Sequence, residues 1–194
     1  MPTAEPAART TPLVVGVLSD THGYLYPEVV EHLKGVDHIL HAGDVGTAEV
    51  LRALRSIAPV TAVRGNVDMG GWADALPSRA EVELAGVCIV VGHIGPRADG
   101  AGGAGQPVVV VSGHSHIASE QWRDGVLYLN PGSAGPRRFG RPRTLARLEI
   151  RPAPPEAAEP ADPSPREAPS GPPAGQPTAA APRVVAQIIL VAGD

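Results

Sequence analysis

The chain reads as an α/β protein, on three observations. Between Leu13 and Val63, short apolar runs alternate with segments of helical spacing. From Ala80 to Leu129 only strand-like runs follow. The apolar residues are almost all Val, Leu, Ile and Ala, with two Trp, three Tyr and one Phe among 194 residues, so the core is aliphatic. Leu13–Leu18 is the first extended run. Pro27–Lys34 (PEVVEHLK) has helical spacing behind a proline suited to the first helical position. Ile39–His41 is extended, Thr47–Ile57 is helical with Thr47 as its N-cap, and Pro59–Val63 is extended again. Strand, helix, strand, helix, strand is the pattern of a parallel sheet. Beyond it, Glu81–Leu84 and Val87–Val91 flank an Ala-Gly turn, and Val108–Val111 and Val126–Leu129 follow. The interval Gly95–Gln106 (GPRADGAGGAGQ) is too rich in glycine for a helix.

Composition changes after Ile150. The 31 residues Pro152–Pro182 hold 11 Pro and 9 Ala, and no Val, Ile, Leu, Met or aromatic residue. Such a stretch buries too little apolar area to offset its ordering entropy. Yet Arg183–Val191 (RVVAQIILV) reads as a strand, and its nearest partner is Arg143–Ile150. A long hairpin loop costs only about 2 kcal/mol more closure entropy than a short one. The alternative is an unstructured C-terminus with an aggregation-prone end. The expected division is a disordered 1–11, a domain over 12–151, a disordered insert over 152–182 and a returning strand over 183–192.

The formal charge of −4, from 16 basic and 20 acidic residues, lacks the concentrated positive field of a dedicated nucleic-acid binder. The single cysteine, Cys88, excludes an internal disulfide and a multi-cysteine zinc site, and fits a reducing compartment. The first dozen residues lack a signal-peptide apolar stretch, and no run approaches the roughly 20 apolar residues of a membrane span. The expectation is a soluble cytoplasmic protein with no membrane partner.

Five apolar runs each lead into residues of metal-ligand type. They lead in turn to Asp20 and His22; to Asp44; to Asn66 and Asp68; to His93; and to His114 and His116. In α/β sheets, ligands gather at the carboxyl ends of strands. Taken singly, Asp20 reads equally as a helix cap, Asp44 as a turn residue and His93 as a satisfied interior histidine. Two histidines at i and i+2 beyond a four-valine strand are harder to place in a core. Imidazoles, carboxylates and one amide without thiolate suit Mn, Fe, Ni, Co or Zn better than calcium. The donors outnumber the needs of one tetrahedral ion. A pair of ions about 3.5–4 Å apart, as in two-metal phosphoryl-transfer sites, would use them.

In order and spacing, Ser19-Asp20-Thr21-His22-Gly23, His41-Ala42-Gly43-Asp44, Arg64-Gly65-Asn66-Val67-Asp68, Gly92-His93, Gly113-His114-Ser115-His116 and Asn130-Pro131-Gly132-Ser133 resemble the calcineurin-like metallophosphoesterases. Within them they are similar to the small YfcE-type phosphodiesterases of bacteria and archaea, whose fold Vps29 shares. The resemblance spans about Leu13 to Ile150. It implies a four-layer α/β sandwich of two mixed sheets flanked by helices, with two divalent ions, manganese foremost. By it, Asp20, His22, Asp44 and His116 hold one ion, and Asp44, as a bridge, with Asn66, His93 and His114 the other.

The implied reaction is hydrolysis of a small phosphate ester, foremost a diester, by a metal-bridging hydroxide, with Asp44, Asn66 and Asp68 as the catalytic set. Asn66 also orients a phosphate oxygen, and Asp68 either fixes a ligand imidazole such as His22 or stabilises a turn. Arg137 and Arg138 either contact substrate phosphate or form a solvated basic patch. His41 packs beneath the site loops. Val67 stands where many members of the wider family carry an acidic His, which favours esters with good leaving groups. Gly95–Gln106 replaces a helix usual in relatives. A homodimer is left open. The competing reading is a Vps29-like binding scaffold with a vestigial metal site.

Overall fold

The structure is a computed structural model that describes residues 11–138, 140–152 and 181–192. Apart from their ends, the expected disordered N-terminus and Pro/Ala-rich insert lie outside the described residues. Among the described residues, ten strands and two helices follow in order: β1 (Leu13–Leu18), α1 (Pro27–Leu33), β2 (His38–His41), α2 (Ala48–Arg55), β3 (Val60–Ala62), β4 (Arg79–Leu84), β5 (Val87–Gly92), β6 (Val108–Val111), β7 (Ser119–Arg123), β8 (Val126–Asn130), β9 (Arg143–Arg151) and β10 (Arg183–Val191).

They form two mixed five-stranded sheets, ordered β10-β9-β1-β2-β3 and β4-β5-β6-β8-β7. In the first, β1, β2 and β3 are parallel while β9 runs antiparallel to β1. In the second, β5, β6 and β8 are parallel, with antiparallel β4 and β7 at the edges. β10 pairs antiparallel with β9 along its whole length, from Arg183 opposite Arg151 to Val191 opposite Arg143.

The alternation within β1 explains the layering. Val15 and Val17 enter the inter-sheet core with Ile89, Val109, Leu127 and Leu148, whereas Leu18 joins the face under the helices. Val29 and Leu33 of α1 and Val50, Leu51 and Leu54 of α2 cover that face. Each fully buried aliphatic side chain contributes roughly 1.5–3 kcal/mol. The outer face of the second sheet (Cys88, Val90, Val108, Val110) is covered by Ala98 and Ala101 of the glycine-rich segment. The fourth layer is therefore non-helical among the described residues, as the glycines of Gly95–Gln106 predict.

Two local expectations differ. Thr47 stands at the N-cap of α2 with extended backbone, but its side chain makes no capping bond. β7 is not foreseen by the apolar pattern, because SEQWR is an almost wholly exposed edge strand, held by its backbone ladder to β8.

Candidate metal and phosphate site

Three parallel strands from each sheet end at the same edge of the sandwich, and their following loops carry every donor singled out in the sequence. The loops knit together by backbone bonds: Asp20 N–H donates to Gly43 O (3.0 Å), His22 N–H to Asp44 O (3.0 Å), and Gly113 N–H to His93 O (3.0 Å). Five candidate ligands, Asp20, His22, Asp44, His114 and His116, have φ between 48° and 66°. The other non-glycine residues with positive φ among the described residues are Ala85 and Asp124, in hairpin turns. Left-handed backbone costs such residues about 1–3 kcal/mol each, and its concentration here marks a site whose geometry is imposed by its surroundings.

Close approach explains two of the glycines. A Cβ on Gly43 would lie 2.8 Å from the His93 ring, and one on Gly65 would overlap the amide nitrogen and Oδ1 of Asp44. Both loops bring their neighbours' ligands inward only because no side chain intervenes.

Two donor groups emerge: Asp20, His22 and His116, and Asp20, Asp44 and His93, each with ligand atoms within 4.8 Å of one another. His116 Nε2 lies 3.2 Å from Asp20 Oδ1 and 3.3 Å from His22 Nε2. His93 Nε2 lies 3.3 Å from Asp44 Oδ1 and 2.9 Å from Asn66 Oδ1. His114 Nδ1 is 3.2 Å from the same amide oxygen. Seven sequence-derived candidates therefore converge.

The His93 tautomer follows from its other nitrogen. Nδ1 is 2.8 Å from Ala42 O and donates to that carbonyl, so in the neutral ring the Nε2 lone pair is aimed at the two site oxygens, whereas in the ion-free site a proton on Nε2 bonds Asp44. Asp20 Oδ1 is buried without a hydrogen bond. Lone pairs facing one another in a buried site are costly, and a cation between them reconciles them. The residues present thus fit divalent metal ions.

The protonation equilibria of the ion-free site carry the same signature. Burial raises the Asp20 pKa above the usual carboxylate value against the Ser19 hydrogen bond. Burial also opposes charge on Asp44, but the bonds from His93 and the Val67 amide outweigh it and lower its pKa. His93 is desolvated too, yet its bonds to Asp44 and Ala42 hold its pKa above normal. His22 is lowered, first by burial and then by the charge of Arg138.

Asp68 is placed differently. Oδ1 accepts from Gly46 N–H and Oδ2 from Gly65 N–H, each at 2.7 Å, so its hydrogen bonds tie two loops together and run to backbone, not to His22. His41 is fully buried and its Nε2 lies 2.9 Å from Thr21 Oγ1. Thr21 gives its hydroxyl proton to Val45 O, so His41 Nε2 is the donor in that pair. Burial drives the His41 pKa down to about 4. It is a neutral prop beneath the Asp20–His22 loop.

Arg137 and Arg138 are exposed in the loop before β9, and together with His116, Arg141 and Arg143 they surround one small space at the site's edge. Arg143 carried no signal in the sequence. It is 2% exposed, its guanidinium stacks on Tyr26 at 3.3 Å, and its Nε donates to Gly135 O (3.1 Å), which supports the arginine loop from behind. Asn130 donates to Gly113 O (2.8 Å) and Ser115 Oγ (3.1 Å), so the Asn-Pro-Gly-Ser turn positions both terminal histidines.

The calcineurin-like phosphoesterase superfamily domain matches residues 13–152, the stretch that supplies every loop just described. The chain belongs to that superfamily. A probable metallophosphoesterase of Methanothermobacter thermautotrophicus is 33% identical over 150 residues, covering 69% of this chain and 84% of that one. Among solved structures, YfcE, a phosphoesterase from E. coli, matches with a TM-score of 0.55 and 24% identity over 71% of this chain and 91% of its own. An archaeal phosphodiesterase matches with a TM-score of 0.58 and 24% identity, covering 70% and 93%. Membership of this superfamily marks the chain as a hydrolase, and the divalent metal that the family implies suits the donor groups just described. Among the described residues, no helix is long and apolar enough to cross a membrane.

Proposed function

We propose that the protein is a phosphodiesterase working with two divalent cations, manganese foremost, on a small phosphate ester in the cytoplasm. The observation that carries this reading is the convergence of imidazole, carboxylate and amide donors on one centre whose floor is the buried, unbonded Asp20 Oδ1. Asp20, His22, Asp44 and His116 would hold one ion, and Asp44, Asn66, His93 and His114 the other. Bound there, the ions would supply Lewis acidity and an acidified solvent nucleophile near neutral pH.

The chain's own groups do the rest. The Ala42 carbonyl keeps the His93 proton on Nδ1, and Asp68 holds the Gly46 and Gly65 loops so that Asp44 and Asn66 face each other. Asn66 orients a phosphate oxygen with its amide. The guanidinium groups of Arg137 and Arg138 hold the phosphate charge by paired hydrogen bonds. Val67 offers no proton, so the leaving oxygen takes one from solvent, and esters with acidic leaving groups react faster.

The test is turnover of bis(4-nitrophenyl) phosphate and 4-nitrophenyl phosphate by metal-stripped protein titrated with Mn, Ni, Zn and Mg. Activity should return with a transition-type ion, favour the diester and vanish in Asp44→Asn. Equal activity of the wild type and this variant would refute the role of Asp44. Inactivity with every ion would leave a binding scaffold.

A further inference from the structure

Among the described residues eight large hydrophobics are exposed; Trp122 and Val185 lie apart on β7 and β10, but four others stand in the donor loops. Tyr24, Val67, Ile94 and Ile117 are 55%, 42%, 65% and 46% exposed, and each stands one or two positions after a candidate ligand: His22, Asn66, His93 and His116. Isolated apolar residues on a surface need no explanation, but several set around one polar centre do. Leu190, at the end of β10, is 68% exposed although most of its strand is at least half-covered.

Ile117 and Leu190 face the same cavity of about 230 Å³, whose wall also includes His116, Arg141, Pro142 and Ile188. His116 is thus shared between this cavity and the donor cluster, since its Nε2 lies 3.2 Å from Asp20 Oδ1. An apolar cavity of about 150 Å³ suffices for a benzene ring. The space beside His116 is larger, an open groove lined by four aliphatic side chains, a proline ring and Thr144, with one guanidinium able to stack on an aromatic face. The cavity adjoins the donor cluster through His116, and it shares Arg141 and Pro142 with the small space bordered by Arg137 and Arg138, so the charge of the arginine loop lies next to it.

We propose that this cavity is a subsite for an apolar or aromatic ester arm, so that the substrate class is a phosphodiester carrying at least one such group, with Ile117 and Leu190 setting the preference. The inference rests on the phosphodiesterase reading above. It goes beyond that reading by assigning residues outside the donor set, one of them supplied by the C-terminal strand.

The experiment compares diphenyl phosphate with dimethyl phosphate as competitive inhibitors of bis(4-nitrophenyl) phosphate turnover. The same two affinities are read independently by ligand-observed NMR on zinc-loaded protein. The wild type should hold diphenyl phosphate about tenfold more tightly or better, in line with the discrimination that apolar pockets achieve. Ile117→Ser and Leu190→Ser, both at exposed positions, should each shrink this ratio, and the double variant should bring it within twofold of unity. Dimethyl phosphate affinity should stay unchanged, which shows that the phosphate centre and the fold are intact. A wild-type ratio near one, or a ratio indifferent to both substitutions, overturns the subsite. Absence of turnover with intact, side-chain-dependent diphenyl phosphate binding sinks the enzymatic reading while the subsite stands. Failure of both diesters to bind removes both.

Discussion

His41 makes the stability of the domain depend on pH in a way that can be calculated. Its ring is fully buried on β2, gives its Nε2 proton to Thr21, and has a native pKa near 4 against an ordinary value of 6.5. The native state therefore resists a proton that the unfolded chain accepts. Stability from this group is complete above the unfolded value and is lost as pH falls from 6.5 towards 4, where the native ring begins to protonate as well. From pH 7.5 to 5 the loss amounts to ~2 kcal/mol, a large part of the 5–15 kcal/mol typical of a domain.

Replacing His41 by Gln keeps a donor for Thr21 and removes the titration. Urea unfolding of metal-stripped protein, followed by circular dichroism, should find wild type and His41→Gln converging as pH falls from 7.5 to 5. The gap between them should change by ~2 kcal/mol. Taking the difference cancels the other shifted groups, such as His22 and His93, which the two proteins share. Parallel pH profiles, to within about 0.5 kcal/mol, would show that His41 is not a buried neutral ring and refute the argument.

Other outcomes follow from the same geometry. Asp44→Asn should abolish metal-dependent turnover and weaken Mn binding at least tenfold in calorimetric titration, while leaving the thermal midpoint of stripped protein close to wild type. Gly65→Ala forces a methyl into Asp44, and should cost at least about 2 kcal/mol in urea unfolding together with most of the metal affinity. Asp68→Ala strands the Gly46 and Gly65 amides; a loss of about 2–4 kcal/mol is expected, with metal affinity reduced less than in Asp44→Asn. With Val67 in place of an acid, aryl diesters should outpace alkyl diesters strongly when chemistry is rate-limiting, as a plot of log kcat against leaving-group pKa would display.

Much of this molecule is local. The β-branched runs from Leu13 to Leu18, Val108 to Val111 and Arg183 to Val191 become strands over those same residues, because period and branching act within a few positions. The donors were legible for a related reason, since they follow directly on strands, whereas the need for Gly43 and Gly65 beside them came from the His93 ring and Asp44 packed against them. What sequence could not decide depends on partners far along the chain. β7 exists only because β8 offers it a ladder. Arg143 is buried because Tyr26 lies under it, and Asp68 spends its carboxylate on an amide 22 positions away at Gly46. The cavity beside His116 needs Ile117, from the loop between β6 and β7, brought against Leu190 of β10. Such contacts are set by how two sheets stack, and short-range propensity carries no information about stacking.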